Sequence, residues 1–228
     1  MQNSNIILEV CAANVASAHA AAEGGAQRIE LCTALELDGL TPSEEEIREA
    51  RGIEGLRVNV LIRSREGNFV YTPEEIATMV AQIETARRLG ADGVVIGALT
   101  PEGDIDVEAC RQMVEAAGEM EVTFHRAFDV CRQPRQALEE IIAMGCHRLL
   151  TSGQAAKAAD GTALIRELQE QAQGRIILMP GSGVTPDNAR RILAETGCRE
   201  IHSSARRPGD CTTSTEVVSA IINHTRDL

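Results

Sequence analysis

Val122 to Asp129 reads V-T-F-H-R-A-F-D. Its first four residues, Val122, Thr123, Phe124 and His125, have the β-branched and aromatic make-up of a strand. They run directly into a polar group, His125, Arg126 and Asp129, and a helix-opening proline follows at Pro134. Parallel α/β folds build their sites where strands end in such side chains ahead of a short loop.

Outward from this stretch the same unit recurs in both directions. Strands are expected at 6–10, 28–31, 56–62, 93–96, 122–125, 148–150, 176–179 and 200–202. Between them run amphipathic helices with legible ends. The first, 15–23, stops at Gly24-Gly25. The second starts at Ser43 with Glu46 three residues on, the spacing of a capping box. The third, 73–89, opens on Thr72-Pro73 and stops at Gly90, and the others cover 107–117, 134–144, 162–172, the segment from Pro186 to Gly197, and 216–223. Eight β-then-α units in 228 residues, about 28 residues each, predict an α/β fold, a single-domain (β/α)8 TIM barrel over 1–228. An open doubly wound sheet is the alternative, but it would place a glycine fingerprint after the first strand, where this chain has C-A-A-N.

Composition excludes several classes of function. A net charge of −12 opposes binding to nucleic acid or to anionic membrane surfaces. Aromatic residues are only 2%, too few to stack on single strands. No apolar run is long enough to cross a bilayer, and Met1 to Asn5 carries no basic, leader-like segment, so a cytoplasmic protein is expected. Seven scattered cysteines without a C-x-x-C pair read as free thiols, with neither a disulfide framework nor a structural zinc site. A barrel of this size is compatible with a homo-oligomer.

Strand parity sorts the candidate residues. Glu9 and Cys11 share one face of the first strand, and Glu30 and Cys32 one face of the second. If both pairs point into the barrel, two carboxylates lie beneath two thiols, with His202 of the neighbouring eighth strand in reach. Cys11, Cys32 and His202 then form a soft ligand set suited to Cu(I), although the cysteines read equally well as small buried apolar side chains. Buried glutamates need cationic partners or a shared proton. Glu9, Glu30, His125, Arg126 and Asp129 are accordingly candidates for acid/base work, with Arg63 and Arg65 beside them to hold an anion, or else a structural ion network. In the second half Ser152, Gly153 and Gln154 follow strand six, Gly181 and Gly183 follow strand seven, and Ser203 and Ser204 follow strand eight. Barrels often hold phosphate in these loops, and turn formation explains the glycines as well. No P-loop, nucleophile elbow or H-E-x-x-H helix is present.

The chain also resembles a known family. V-T-F-H-R-A-F-D, L-T-S-G-Q (Leu150 to Gln154), I-E-L-C (Ile29 to Cys32), G-L-T-P (Gly39 to Pro42) and H-S-S (His202 to Ser204) are similar to motifs of the CutC family of copper homeostasis proteins, and they occur in family order. The resemblance implies a cytoplasmic barrel that binds copper ion, Cu(I). Two departures stand out: Cys11 is followed by Ala12 where family members often pair cysteines, and Ser64 stands between Arg63 and Arg65 where the family often has proline. Two functions are therefore expected from the sequence. One is copper handling with a copper ion as ligand. The other is an enzyme acting on a small anionic metabolite, phosphorylated or not, at the barrel mouth.

Overall fold

The computed structural model describes residues 6–228; the reading of Met1 to Asn5 as free of a leader-like segment lies outside them. Eight parallel strands, β1 (Ile7–Ala12), β2 (Arg28–Leu31), β3 (Arg57–Leu61), β4 (Gly93–Ile96), β5 (Glu121–Phe124), β6 (Arg148–Thr151), β7 (Ile177–Pro180) and β8 (Glu200–Ser203), alternate with eight helices among the described residues. The helices are α1 (Val15–Glu23), α2 (Glu44–Arg51), α3 (Pro73–Arg88), α4 (Val107–Ala117), α5 (Pro134–Ala143), α6 (Thr162–Ala172), α7 (Pro186–Thr196) and α8 (Thr215–Thr225). The hydrogen-bonded order is β7-β6-β5-β4-β3-β2-β1-β8. β7 and β8 lie side by side and bring the sheet to near closure, with no backbone ladder between them among the described residues. The expected (β/α)8 barrel is thus the fold.

Helix ends follow the local chemistry. Ser43 and Glu46 exchange hydrogen bonds at the start of α2, as Thr72 and Glu75 do at the start of α3. The seventh helix stops at Gly197, whose φ of 74° a residue with a Cβ adopts only under strain. Two short 3₁₀ turns, Leu35–Leu37 and Arg126–Val130, lie in segments expected as plain loops. The second turn is capped by His125, whose side chain accepts the Ala127 N–H.

Alternation along the strands divides the core in two. Leu8, Val10, Ile29, Leu31, Val58, Val60, Val94, Ile96, Phe124 and Ile201 face outward and pack beneath the helices in the main apolar core. The inward set is polar at its base. Arg28 binds Glu9 at 2.5 Å and also Glu200, Arg148 binds Glu200 at 2.8 Å and Glu121 at 2.7 Å, and Asn59 Nδ2 donates to Glu9 at 3.1 Å. A structural ion network was one of the readings expected for the buried glutamates, but its partners Arg28, Arg148, Glu121 and Glu200 were not singled out. Higher in the barrel Cys11, Cys32, Leu61 and Val95 form a small apolar cluster of their own.

Candidate functional site

Above the charged floor a cavity of about 400 Å³ opens at the C-terminal ends of the strands. Its walls divide by strand. Cys11, Glu30, Cys32 and His202 of β1, β2 and β8 line one side, while Arg63, Phe69, His125 and Arg126 from the β3 and β5 ends line the other. The register explains the first group: Cys11 is level with Glu30 across the β1–β2 pair, and Glu9 with His202 across the β1–β8 pair. Cys11 Sγ and Cys32 Sγ are 3.8 Å apart, and both thiols are free. Ligand atoms of Cys11, Glu30 and His202 all lie within 4.8 Å of one another, and all three residues are buried.

Glu9 sits one layer deeper, fully buried, and does not reach the cavity wall. Its Oε1 accepts the Nδ1–H of His202 at 2.9 Å, and His202 Nε2 lies 3.5 Å from Glu30 Oε2. Burial alone would push the Glu9 carboxyl up, but the Arg28 charge and the His202 hydrogen bond outweigh it and bring the group down to about 2. Burial disfavours charge on His202 too, yet its hydrogen bonds with Cys11 and Glu9 and the nearby carboxylates raise it well above the ordinary histidine range. Glu30 is pushed up by burial. The Cys11 thiol is pushed well up, by its hydrogen bond with Cys32 and by burial.

His125 behaves differently. Burial, followed by the charge of Arg63, takes it down to about 3, so the ring is neutral at ordinary pH. Because Nδ1 accepts the Ala127 N–H at 3.1 Å, the proton is on Nε2, which has no hydrogen-bond partner among the described residues. Its ring packs against Phe69 at a centroid distance of 5.0 Å, and the Arg63 guanidinium lies 5.2 Å above the same Phe69.

The remaining expected residues are mostly engaged in holding loops. Asp129 accepts from Arg126 Nε at 2.8 Å, Thr151 Oγ1 at 2.5 Å and the Ser152 N–H at 2.9 Å, tying the loop after β5 to the one after β6. Asp129 lines the cavity, but its carboxylate is engaged in holding these two loops together. Ser152 Oγ donates to Ala155 O, and Gln154 Nε2 to Cys131 O, both at 2.6 Å. Gly153 lies against Gly161, where a Cβ would overlap the Gly161 carbonyl. These three residues are away from the cavity wall. Arg65 is also away from it, paired with Glu75 at 2.6 Å and stacked on Tyr71. Gly181 makes room for Leu150, whose Cδ1 lies 2.5 Å from the position of a Cβ. Gly183, Ser203 and Ser204 do line the cavity, Ser203 with its hydroxyl bound to Val184 O at 2.9 Å.

Several residues of the site were not anticipated. Arg28 and Asn59, which hold Glu9, had a usable signal in Arg28, which shares the parity of Glu30 and Cys32 on its strand. Phe69 and Asp38, which line the cavity, come from loops without periodicity, and the sequence offered no comparable signal for them.

A parallel barrel with thiols, an imidazole and carboxylates gathered beneath its mouth defines an α/β-barrel protein with a potential soft-metal pocket. The chain belongs to the CutC family, whose model matches residues 6–207. It is 52% identical over 200 residues to a family protein CutC from Chromobacterium violaceum, covering 88% of this chain and 81% of the relative. A CutC family protein from Bacteroides fragilis is 53% identical over 203 residues, covering 89% of this chain and 81% of the relative. Among solved structures, a Streptococcus agalactiae protein provisionally named copper homeostasis protein CutC superposes with a TM-score of 0.84 at 35% identity, covering 87% of this chain and 98% of the other. Thiamine phosphate pyrophosphorylase from Pyrococcus furiosus shares the fold alone, with a TM-score of 0.67 at 18% identity and coverage of 99% and 97%.

Proposed function

We propose that this chain is a cytoplasmic, single-domain copper homeostasis protein that takes up Cu(I) between Cys11, Cys32 and His202, with Glu30 beside them. The observation that carries the reading is the hydrogen bond from His202 Nδ1–H to Glu9 Oε1, which leaves Nε2 as the nitrogen that faces Cys11 and Glu30. A carboxylate holding a histidine by its far nitrogen is the usual support of a metal-bound imidazole. The sulfurs are also suitably spaced: two metal–sulfur bonds of about 2.3 Å, opening at a tetrahedral to trigonal angle, separate their sulfurs by about 3.8–4.0 Å, and here they lie 3.8 Å apart. Thiolate and imidazole are the donors a soft monovalent ion prefers.

The test is a Cu(I) titration of the reduced protein against a competing chelator, run on the wild type, Cys32→Ser and the double variant Cys11→Ser/Cys32→Ser. One ion per chain, weakened in the single variant and lost in the double, is the expected result. Binding unchanged by the double substitution would overturn the reading.

A further inference from the structure

Across the cavity from the sulfurs lies a wall the copper reading does not use. Arg63 is 4% exposed, yet among the described residues no carboxylate pairs with it. Its guanidinium instead donates to three neutral carbonyls, Leu37 O at 2.8 Å and Gly39 O and Gly67 O at 3.0 Å. A buried cation held only by neutral dipoles lacks the counter-charge that desolvation makes valuable. His125, on the same wall, is 5% exposed and holds an unpartnered Nε2–H. Its Nδ1–Cε1 edge abuts Gly97, where a Cβ would lie 2.5 Å from both atoms, so Nε2 is the ring nitrogen left for a ligand. Buried polar groups in native proteins are rarely left without a partner. The third polar group on this side, Arg126, is already matched by Asp129 through Nε, and its half-exposed side chain extends to the rim. What the wall lacks is an acceptor, and an anionic one. Around it Leu61, Phe69, Val130 and Leu150 supply apolar surface for a small organic body.

We infer that this wall, formed by Arg63 and His125 with Arg126 at its rim, is a second ligand site, one that takes the carboxylate or phosphate group of a small organic anion. The oxyanion accepts the His125 Nε2–H and answers the charge of Arg63. Because the two sites share one cavity and use different residues, the inference stands whether or not copper binds opposite.

The experiment uses the whole metal-free protein, with inorganic phosphate and acetate titrated separately. Calorimetry follows affinity, and nitrogen-15 NMR of labelled histidine follows the His125 ring. Saturable binding with a millimolar or tighter constant, accompanied by a shift of the His125 Nε2–H signal with the same midpoint, is expected for one of the two probes. The tighter probe assigns the group as phosphate or carboxylate. His125→Phe keeps the ring packed against Phe69 and removes the donor, and it should weaken binding about tenfold or more. Arg63→Gln should weaken it further. Should that variant fold poorly, the wild-type NMR titration still decides. Saturable binding that leaves the Nε2–H signal unmoved, or that His125→Phe retains in full, would overturn the inference, as would the absence of saturable binding by either probe.

Discussion

Glu9 Oε1 accepts the Nδ1–H of His202 at 2.9 Å, and Glu9 is itself fixed from below by Arg28 Nε at 2.5 Å and by Asn59 Nδ2 at 3.1 Å. The pocket imidazole therefore rests on a carboxylate that rests on the charged floor. The orientation of His202 is set two layers beneath the mouth.

That relationship predicts a change in affinity without a change in ligand. Glu9→Gln keeps the size of the side chain but weakens its hold on the imidazole, so Cu(I) affinity should fall about ten- to a hundredfold. Stoichiometry should stay at one. Chelator competition on the folded variant, checked by circular dichroism, measures both.

The floor itself is a stability element. Arg28 is 1% exposed and satisfies both Glu9 and Glu200, so Arg28→Met leaves two buried carboxylates short of a cation. Breaking one side of a buried ion network typically costs about 3–5 kcal/mol. Urea unfolding should show a loss of that order, and a loss below about 1 kcal/mol would mean that the floor rearranges around the gap.

His125 supplies a pH dependence with a definite sign. Its folded value lies near 3, against 6.5 for the free side chain, because burial and Arg63 oppose protonation. The unfolded chain therefore takes up the proton first, and stability present above pH 6.5 drains away as the pH falls toward 3. His202, raised in the fold, adds no slope below pH 6.5, and Glu9 begins to contribute only below 4.5. Between pH 6.5 and 4.5 the wild type should lose about 2 kcal/mol more than His125→Phe does. Denaturant midpoints of the two proteins at pH 7, 6 and 5 check this.

Gly153 is predicted to act on the fold and not on a ligand. Its φ of 70° is unfavourable for other residues, and a Cβ there would overlap the Gly161 carbonyl. Gly153→Ala should lower stability by about 1–3 kcal/mol while Cu(I) stoichiometry is retained. The comparison takes one thermal melt and one titration.

Much of this architecture was legible in the residues. The helices 107–117 and 162–172 and the strand 93–96 have the expected bounds, because periodicity, capping and glycine stops agree there. Parity placed Cys11, Glu30 and Cys32 on one inner surface, and adjacency of the first and last strands brought His202 to Cys11 and Glu30. Parity fixes direction but not depth. It could not separate Glu9, which supports the site from below, from Glu30, which lines it. The arginines were harder still. Arg63 and Arg65 are two residues apart in one loop, yet Arg63 lies in the cavity wall and Arg65 pairs with Glu75 of α3. That choice depends on how the loop folds over the helix, which no local pattern encodes. Arg28, Arg148 and Glu200 at the strand starts likewise acquire meaning only when non-adjacent strands are brought across the barrel to meet.

The seam between β7 and β8 gives the barrel a mechanical asymmetry. A fully laddered barrel is a hoop that deforms only by breaking backbone hydrogen bonds, whereas this ladder is a ribbon whose two margins meet at Gly181 and His202. The margin that carries His202 is laced to β1 on one side and meets β7 through packing on the other. The imidazole thus stands at the open edge of the ribbon, and the thiols stand on a strand pair that is laced on both sides.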